Sequence, residues 1–238
     1  MNFKLCVAVV MMFAMFLLGG CGGSGGDWVE SGIQGFWSGS QGTGTSSTIV
    51  LASGETWMVS LDSSNVITSF AHLQTLTSAA SFSSSGTQYL LQTGTTETAS
   101  VAGTYKNKAS ISGTSTAPSG SASLNLTYNP RYESTAQVAD AVGSWTGTFG
   151  GASSSRTIIV AATGTLTGTS TTGCGYMGTL LPRNSDPAVF DVNFTETCVV
   201  GTPKVFSGIA TVNEAKTALF ITAATSDKTG GAIFVGTK

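Results

Sequence analysis

The sequence predicts an all-β protein of two tandem small antiparallel meander β-barrels of about eight strands each, with two β-sandwiches as the alternative. Three observations predict it. The word Gly-x-Trp-[Ser/Thr]-Gly occurs twice, as Gly35-Phe36-Trp37-Ser38-Gly39 and Gly143-Ser144-Trp145-Thr146-Gly147, 108 residues apart (143 − 35). Each copy leads into a β-branched run, Ile49-Val50-Leu51 or Ile158-Ile159-Val160, and then a small-residue turn, Ser53-Gly54 or Thr163-Gly164. That recurrence is the signature of a duplicated unit. Finally, only 9% of the 238 residues are charged while 41% are hydrophobic. Ser, Thr and Gly fill the difference, a mix that disfavours long helices and suits short strands joined by tight turns.

Residues 1–20 read as a targeting segment rather than structure, because Lys4 precedes an apolar stretch over 6–18 that is short for an ordinary spanning helix. Residues 21–30 carry Cys21 and the flexible run Gly22-Gly23-Ser24-Gly25-Gly26. That run matches the Gly-x-Ser-x-Gly of a hydrolase elbow, but an elbow needs a strand before it and a helix after it. The first barrel unit is expected over 31–128, with strands near 36–40, 48–52, 56–61, 66–71, 88–93, 100–105, 109–113 and 121–127. Residues 72–82 are ambiguous, being apolar at mixed spacing. A linker over 129–142 follows, broken by Pro130, with Ser134 the expected N-cap of one helical turn. The second barrel unit spans 143–238, with strands near 144–149, 156–162, 165–171, 174–182, 188–198, 204–212, 216–223 and 231–237. At this size each unit is expected to fold alone.

On a strand, Trp37 shares a face with Gly39, and Trp145 shares one with Gly147 and Phe149. Trp37 and Trp145 are therefore the expected core anchors. Trp57, Phe70, Phe82, Phe190 and Phe194 join them as candidates for the barrel interiors, which at about eight strands are just wide enough for side chains or one small ligand. Cys174 and Cys198 are equidistant from Asp186, within the turn signal Asn184-Ser185-Asp186-Pro187. That register sets Val192 opposite Leu180, Phe194 opposite Gly178 and Glu196 opposite Tyr176, with Cys174 facing Cys198 at disulfide range. Asp186 is expected to shape its turn and Asp191 to point to solvent.

Net charge is −2 with 10 scattered basic residues, which argues against nucleic-acid binding through a basic face. The only histidine, His72, is read as a surface or strand-edge residue. The 12 acidic residues stand singly, and no phosphate loop, dinucleotide fingerprint or metalloprotease motif occurs. No catalytic, metal or cofactor site is expected.

Leu18-Gly19-Gly20-Cys21 resembles the lipobox of bacterial lipoproteins. The resemblance implies cleavage before Cys21 and acylation of that residue. With Gly22 rather than aspartate next, it also implies an outer-membrane destination. The Gly-x-Trp opening followed by a meander is similar to the calycin architectures, among them lipocalins, avidins and small barrel inhibitors of hydrolases. That likeness implies the barrel fold and no ligand residue, since avidins ring biotin with several strand tryptophans and the second unit has Trp145 alone. The expected role is a non-enzymatic binding or assembly module at the cell envelope, held to the membrane by lipid and open to an envelope protein partner. A lipocalin-like carrier of a small apolar ligand and a hydrolase inhibitor are the alternatives.

Overall fold

The computed structural model of the protein describes residues 32–149 and 154–238, so the expected signal segment (residues 1–20), Cys21 and the glycine-rich run of residues 22–26 lie outside the described residues. The first unit comprises β1 (Gly35–Gln41), β2 (Gly44–Val50), β3 (Glu55–Leu61), β4 (Ile67–Ser78), β5 (Ser81–Leu90), β6 (Thr95–Lys106), β7 (Ser110–Ala117) and β8 (Gly120–Asn129). The second comprises β9 (Gly143–Phe149), β10 (Ser155–Val160), β11 (Thr165–Ser170), β12 (Gly175–Pro182), β13 (Phe190–Thr197), β14 (Lys204–Val212), β15 (Ala218–Ala224) and β16 (Gly231–Thr237). Within each unit every strand pairs antiparallel with its successor; β8 returns to β1 and β16 to β9, closing two eight-stranded barrels. Closure removes the free edges that short, weakly charged strands would otherwise offer to other chains.

Both copies of the Gly-x-Trp word serve the same end. Trp37 Nε1 donates to Ile33 O at 2.9 Å, and Trp145 Nε1 donates to Ala141 O at 2.7 Å. Each indole is thus buried with its one polar atom satisfied four residues upstream, where Ile33 and Ala141 are themselves buried. The glycine opening the word makes the approach possible, with φ of +152° at Gly35 and +133° at Gly143, a region that side chains with a Cβ avoid.

The two interiors differ in chemistry. The second barrel is filled by Trp145, Leu180, Phe190, Val192, Phe194 and Phe234 with their neighbours, and Phe194 stacks on Phe206 at 5.0 Å. The first keeps Ser46, Thr48, Thr56, Thr75 and Ser84 among its buried residues. Thr75 Oγ1 lies 2.6 Å from both Thr56 Oγ1 and Ser84 Oγ, so the hydroxyls satisfy one another. A cavity of about 20 Å³ lies inside it, and a wider recess of about 300 Å³ opens beside its core residues Met58, Ala99 and Val101. Apolar side chains point inward in both barrels, the reverse of a membrane-spanning barrel, whose apolar band faces out.

The β12–β13 hairpin has the expected register: Leu180 faces Val192, Gly178 faces Phe194 and Tyr176 faces Glu196. Cys174 and Cys198 form a disulfide with Cα atoms 3.9 Å apart. Two expectations need correction. The ambiguous stretch is a long hairpin, β4 running into β5 through Ala79 at φ +52°. Ser134 does not cap the helix: its N–H closes the 3-10 turn Pro130–Glu133 on Arg131 O, and α1 (Val138–Ala141) starts after Gln137.

Replacing Cys174 and Cys198 together by Ser should lower unfolding free energy by about 3 kcal/mol while the β-type circular dichroism spectrum persists. Denaturant titration of the variant against the parent chain measures this.

Candidate functional site between the barrels

Strand β3 is buried on both faces, and that is where the site begins. Thr56 and Met58 point into the first barrel, yet Trp57, on the opposite face, is only 2% exposed. The second barrel covers it. Phe36, Trp57, Phe70 and Tyr132 from the first half pack with Val189, Ile209 and Ile233 from the second in one continuous cluster. Phe70 stacks on Tyr89 at 4.6 Å, and Gly231 of β16 lies against that pair, where an added Cβ would fall 2.5 Å from either ring. Trp57 and Phe70 therefore belong to the seam rather than to a barrel interior, whereas Trp37, Phe82, Trp145, Phe190 and Phe194 do line the interiors. The side chain of Phe149 lies outside the described residues.

A polar cluster runs beside this apolar seam. Asp186, in the loop between β12 and β13, is fully buried. Its Oδ1 accepts the Ala52 N–H at 2.7 Å and the Tyr132 hydroxyl at 2.5 Å, while Oδ2 accepts from Ser185 Oγ at 2.7 Å. The sequence assigns Asp186 only to its turn; in the structure its carboxylate ties the second barrel to the first. Arg183 completes the tie, reaching Asp186 at 3.3 Å, Asp191 at 3.2 Å and Glu55 of β3 at 3.5 Å. Asp191 is half-exposed but engaged, so it does not simply face solvent. Burial raises its pKa, against the opposing charge of Arg183. Burial also raises the pKa of Tyr132, and its hydrogen bond to Asp186 adds to the shift. That phenol stays a donor at any physiological pH.

His72 is neither loose nor at an edge. Its ring stacks on Trp57 at 4.1 Å, with 8° between the planes, and its Nε2 lies 3.1 Å from Glu55 Oε1. Glu55 Oε1 also accepts from Trp57 Nε1 at 3.0 Å. Burial alone would raise the Glu55 pKa, but the hydrogen bond and charge of His72, with help from Trp57 and Arg183, hold it below the usual value. Among the described residues the imidazole hydrogen-bonds to Glu55, and that bond ties β4 to β3. Cys174, Glu196 and Cys198 are close enough to suggest a metal cluster, but both sulfurs are used in the disulfide.

Above the seam the barrels diverge and leave a recess of about 180 Å³. Phe36, Ile49, Trp57 and Val59 line one wall, and Ile209, Phe220 and Ile233 the other. Asn129 and Arg131 stand at its rim, the Arg131 guanidinium 5.3 Å from the centre of the Phe36 ring. Composition and spacing do not single out Arg131, because it follows Pro130 in a stretch that reads as a break. The continuous apolar run Trp57-Met58-Val59 in β3 is the available signal, since a strand apolar on both faces must be covered on both. The chain matches no protein-family model, and neither a similar curated protein nor a similar solved structure is found for it.

Replacing Asp186 by Ala strands the Ala52 N–H, the Tyr132 hydroxyl and Arg183 together; unfolding free energy should fall by about 3–5 kcal/mol in denaturant titration. The depressed pKa of Glu55 makes a second expectation. A carboxyl with a lowered folded pKa lends stability above its unfolded value, about 4.3, and loses it as the pH falls through the folded one. Thermal midpoints should therefore drop on acidification below about pH 4, and Glu55→Gln should flatten that drop. An unchanged acid profile in the Gln variant would exclude Glu55 as a contributor.

Proposed function

We propose that this chain is a bacterial lipoprotein whose double barrel serves as a non-enzymatic binding or assembly module at the cell envelope, with the inter-barrel recess as its binding site. The observation that carries the reading is the recess itself. Two barrels welded by a shared apolar cluster and a buried carboxylate hold its walls fixed, and a preformed, mainly apolar concavity with a few polar groups at the rim is the usual form of a small-ligand site. The alternative of a carrier for a small apolar ligand is also supported by the apolar lining. It places the cargo in the apolar recess between the barrels rather than in the second interior, which side chains fill.

Membrane attachment in this reading runs through Cys21. The sequence Leu18-Gly19-Gly20-Cys21 supports cleavage and acylation there, and Gly22 supports an outer-membrane location, with the tether of residues 22–26 giving the barrels reach from the lipid surface. The repeated Gly-x-Trp word and the matching indole bonds support an origin of the two barrels in one duplicated unit. An envelope protein is the natural partner for the assembly role.

Changing Cys21 to Ser should move the protein from the membrane fraction to the soluble one and abolish uptake of labelled palmitate. A Ser variant that still sediments with membranes, beside a parent chain that takes up no label, would overturn the anchoring.

A further inference from the structure

The rim of the recess carries a cation that, among the described residues, no acidic side chain contacts. Arg131 sits in the single 3-10 turn after β8 and is half-buried. Among the described residues it makes no ion pair, and its side chain donates no hydrogen bond; only the face of Phe36 attends it. The other two arginines differ. Arg183 is shared among Glu55, Asp186 and Asp191, and Arg156 donates to Tyr176 and Ser154. A guanidinium has five N–H donors and a planar fork that fits a carboxylate, and removing it from water without an acceptor is costly. Burial lowers the Arg131 pKa, and the nearest compensation is the more distant charge of Glu214. That same carboxylate would repel a doubly charged ligand more than a singly charged one.

We propose that the recess binds a small amphiphilic monocarboxylate, its carboxylate paired with Arg131 and its short apolar body lying against Phe36, Trp57, Ile209, Phe220 and Ile233. This rests on the reading of the recess as a binding site. The volume of about 180 Å³ limits the apolar part to a few carbons or one small ring, since drug-sized sites begin at about 300 Å³. Phe36 acts in two ways. Its ring face holds the guanidinium by a cation–π contact and the same side chain lines the recess, so the cation stays poised when no anion is present.

Calorimetric titration tests this, with the full chain carrying Cys21→Ser titrated with sodium hexanoate and, separately, with hexanamide, its uncharged counterpart. Hexanoate should bind about 10-fold or more tightly than hexanamide, as expected of a charge-assisted fork. Arg131→Met, which breaks no ion pair, should keep the thermal midpoint, erase that difference and leave hexanamide binding intact. Phe220→Glu adds a negative charge to the wall of the recess, so it should weaken hexanoate more than hexanamide. Equal affinity for the two compounds in the parent chain would overturn the monocarboxylate and leave the recess as an apolar site. Binding of neither would overturn both the ligand class and the recess as the binding site.

Discussion

A carboxylate with no access to water must find its partners within the protein or not be charged at all, and Asp186 finds them on both sides of a boundary. The Ala52 N–H comes from the turn after β2, the Tyr132 hydroxyl from the segment between the barrels, and Ser185 and Arg183 from its own loop. Apolar contacts alone would let the two barrels slide, since dispersion and hydrophobic burial have little directionality. The bonds to Asp186 have direction, and they fix which strands of one barrel meet which strands of the other. The recess inherits its shape from that choice.

The barrel architecture was legible because its determinants are local. Turn residues, the two Gly-x-Trp words and short β-branched runs recur at intervals that suit a meander of short strands, in a closed barrel or a sandwich, and all sixteen strands fall on or overlap expected ones. The hairpin of Cys174 and Cys198 was legible to the residue, since symmetry about Asp186 fixes the register and the register fixes every cross-strand pair. Less could be read where hydroxyl residues replace apolar ones. Ser81 through Ser85 offers Phe82 as its sole apolar residue, yet it forms a regular strand, because its neighbours supply the hydrogen bonds and Thr75 supplies a partner for Ser84.

The seam was the least legible part. Two of its contacts join residues more than a hundred positions apart, Ala52 with Asp186 and Glu55 with Arg183, and no periodicity encodes such a meeting. Trp57 and Phe70 look like interior residues by type and prove to be exterior ones by parity. A large aromatic on the outer face of a strand says that something covers it without saying what.

The shared surface also has a polarity. The first barrel contributes β1, β3, β4 and β5 through Phe36, Trp57, Phe70 and Tyr89, whereas the second contributes β14, β15 and β16 through Ile209, Ala224 and Ile233. Different faces meet, so the contact is head-to-tail, the kind that can in principle be repeated without limit. A third barrel docking by the same rule would need an apolar residue on β9 where β1 has Phe36. That position is Ser144, and it is exposed. At this point in the repeated word the second barrel therefore offers water a hydroxyl where the first offers its neighbour a ring, and the outer face of β9 has no counterpart of the Phe36 contact.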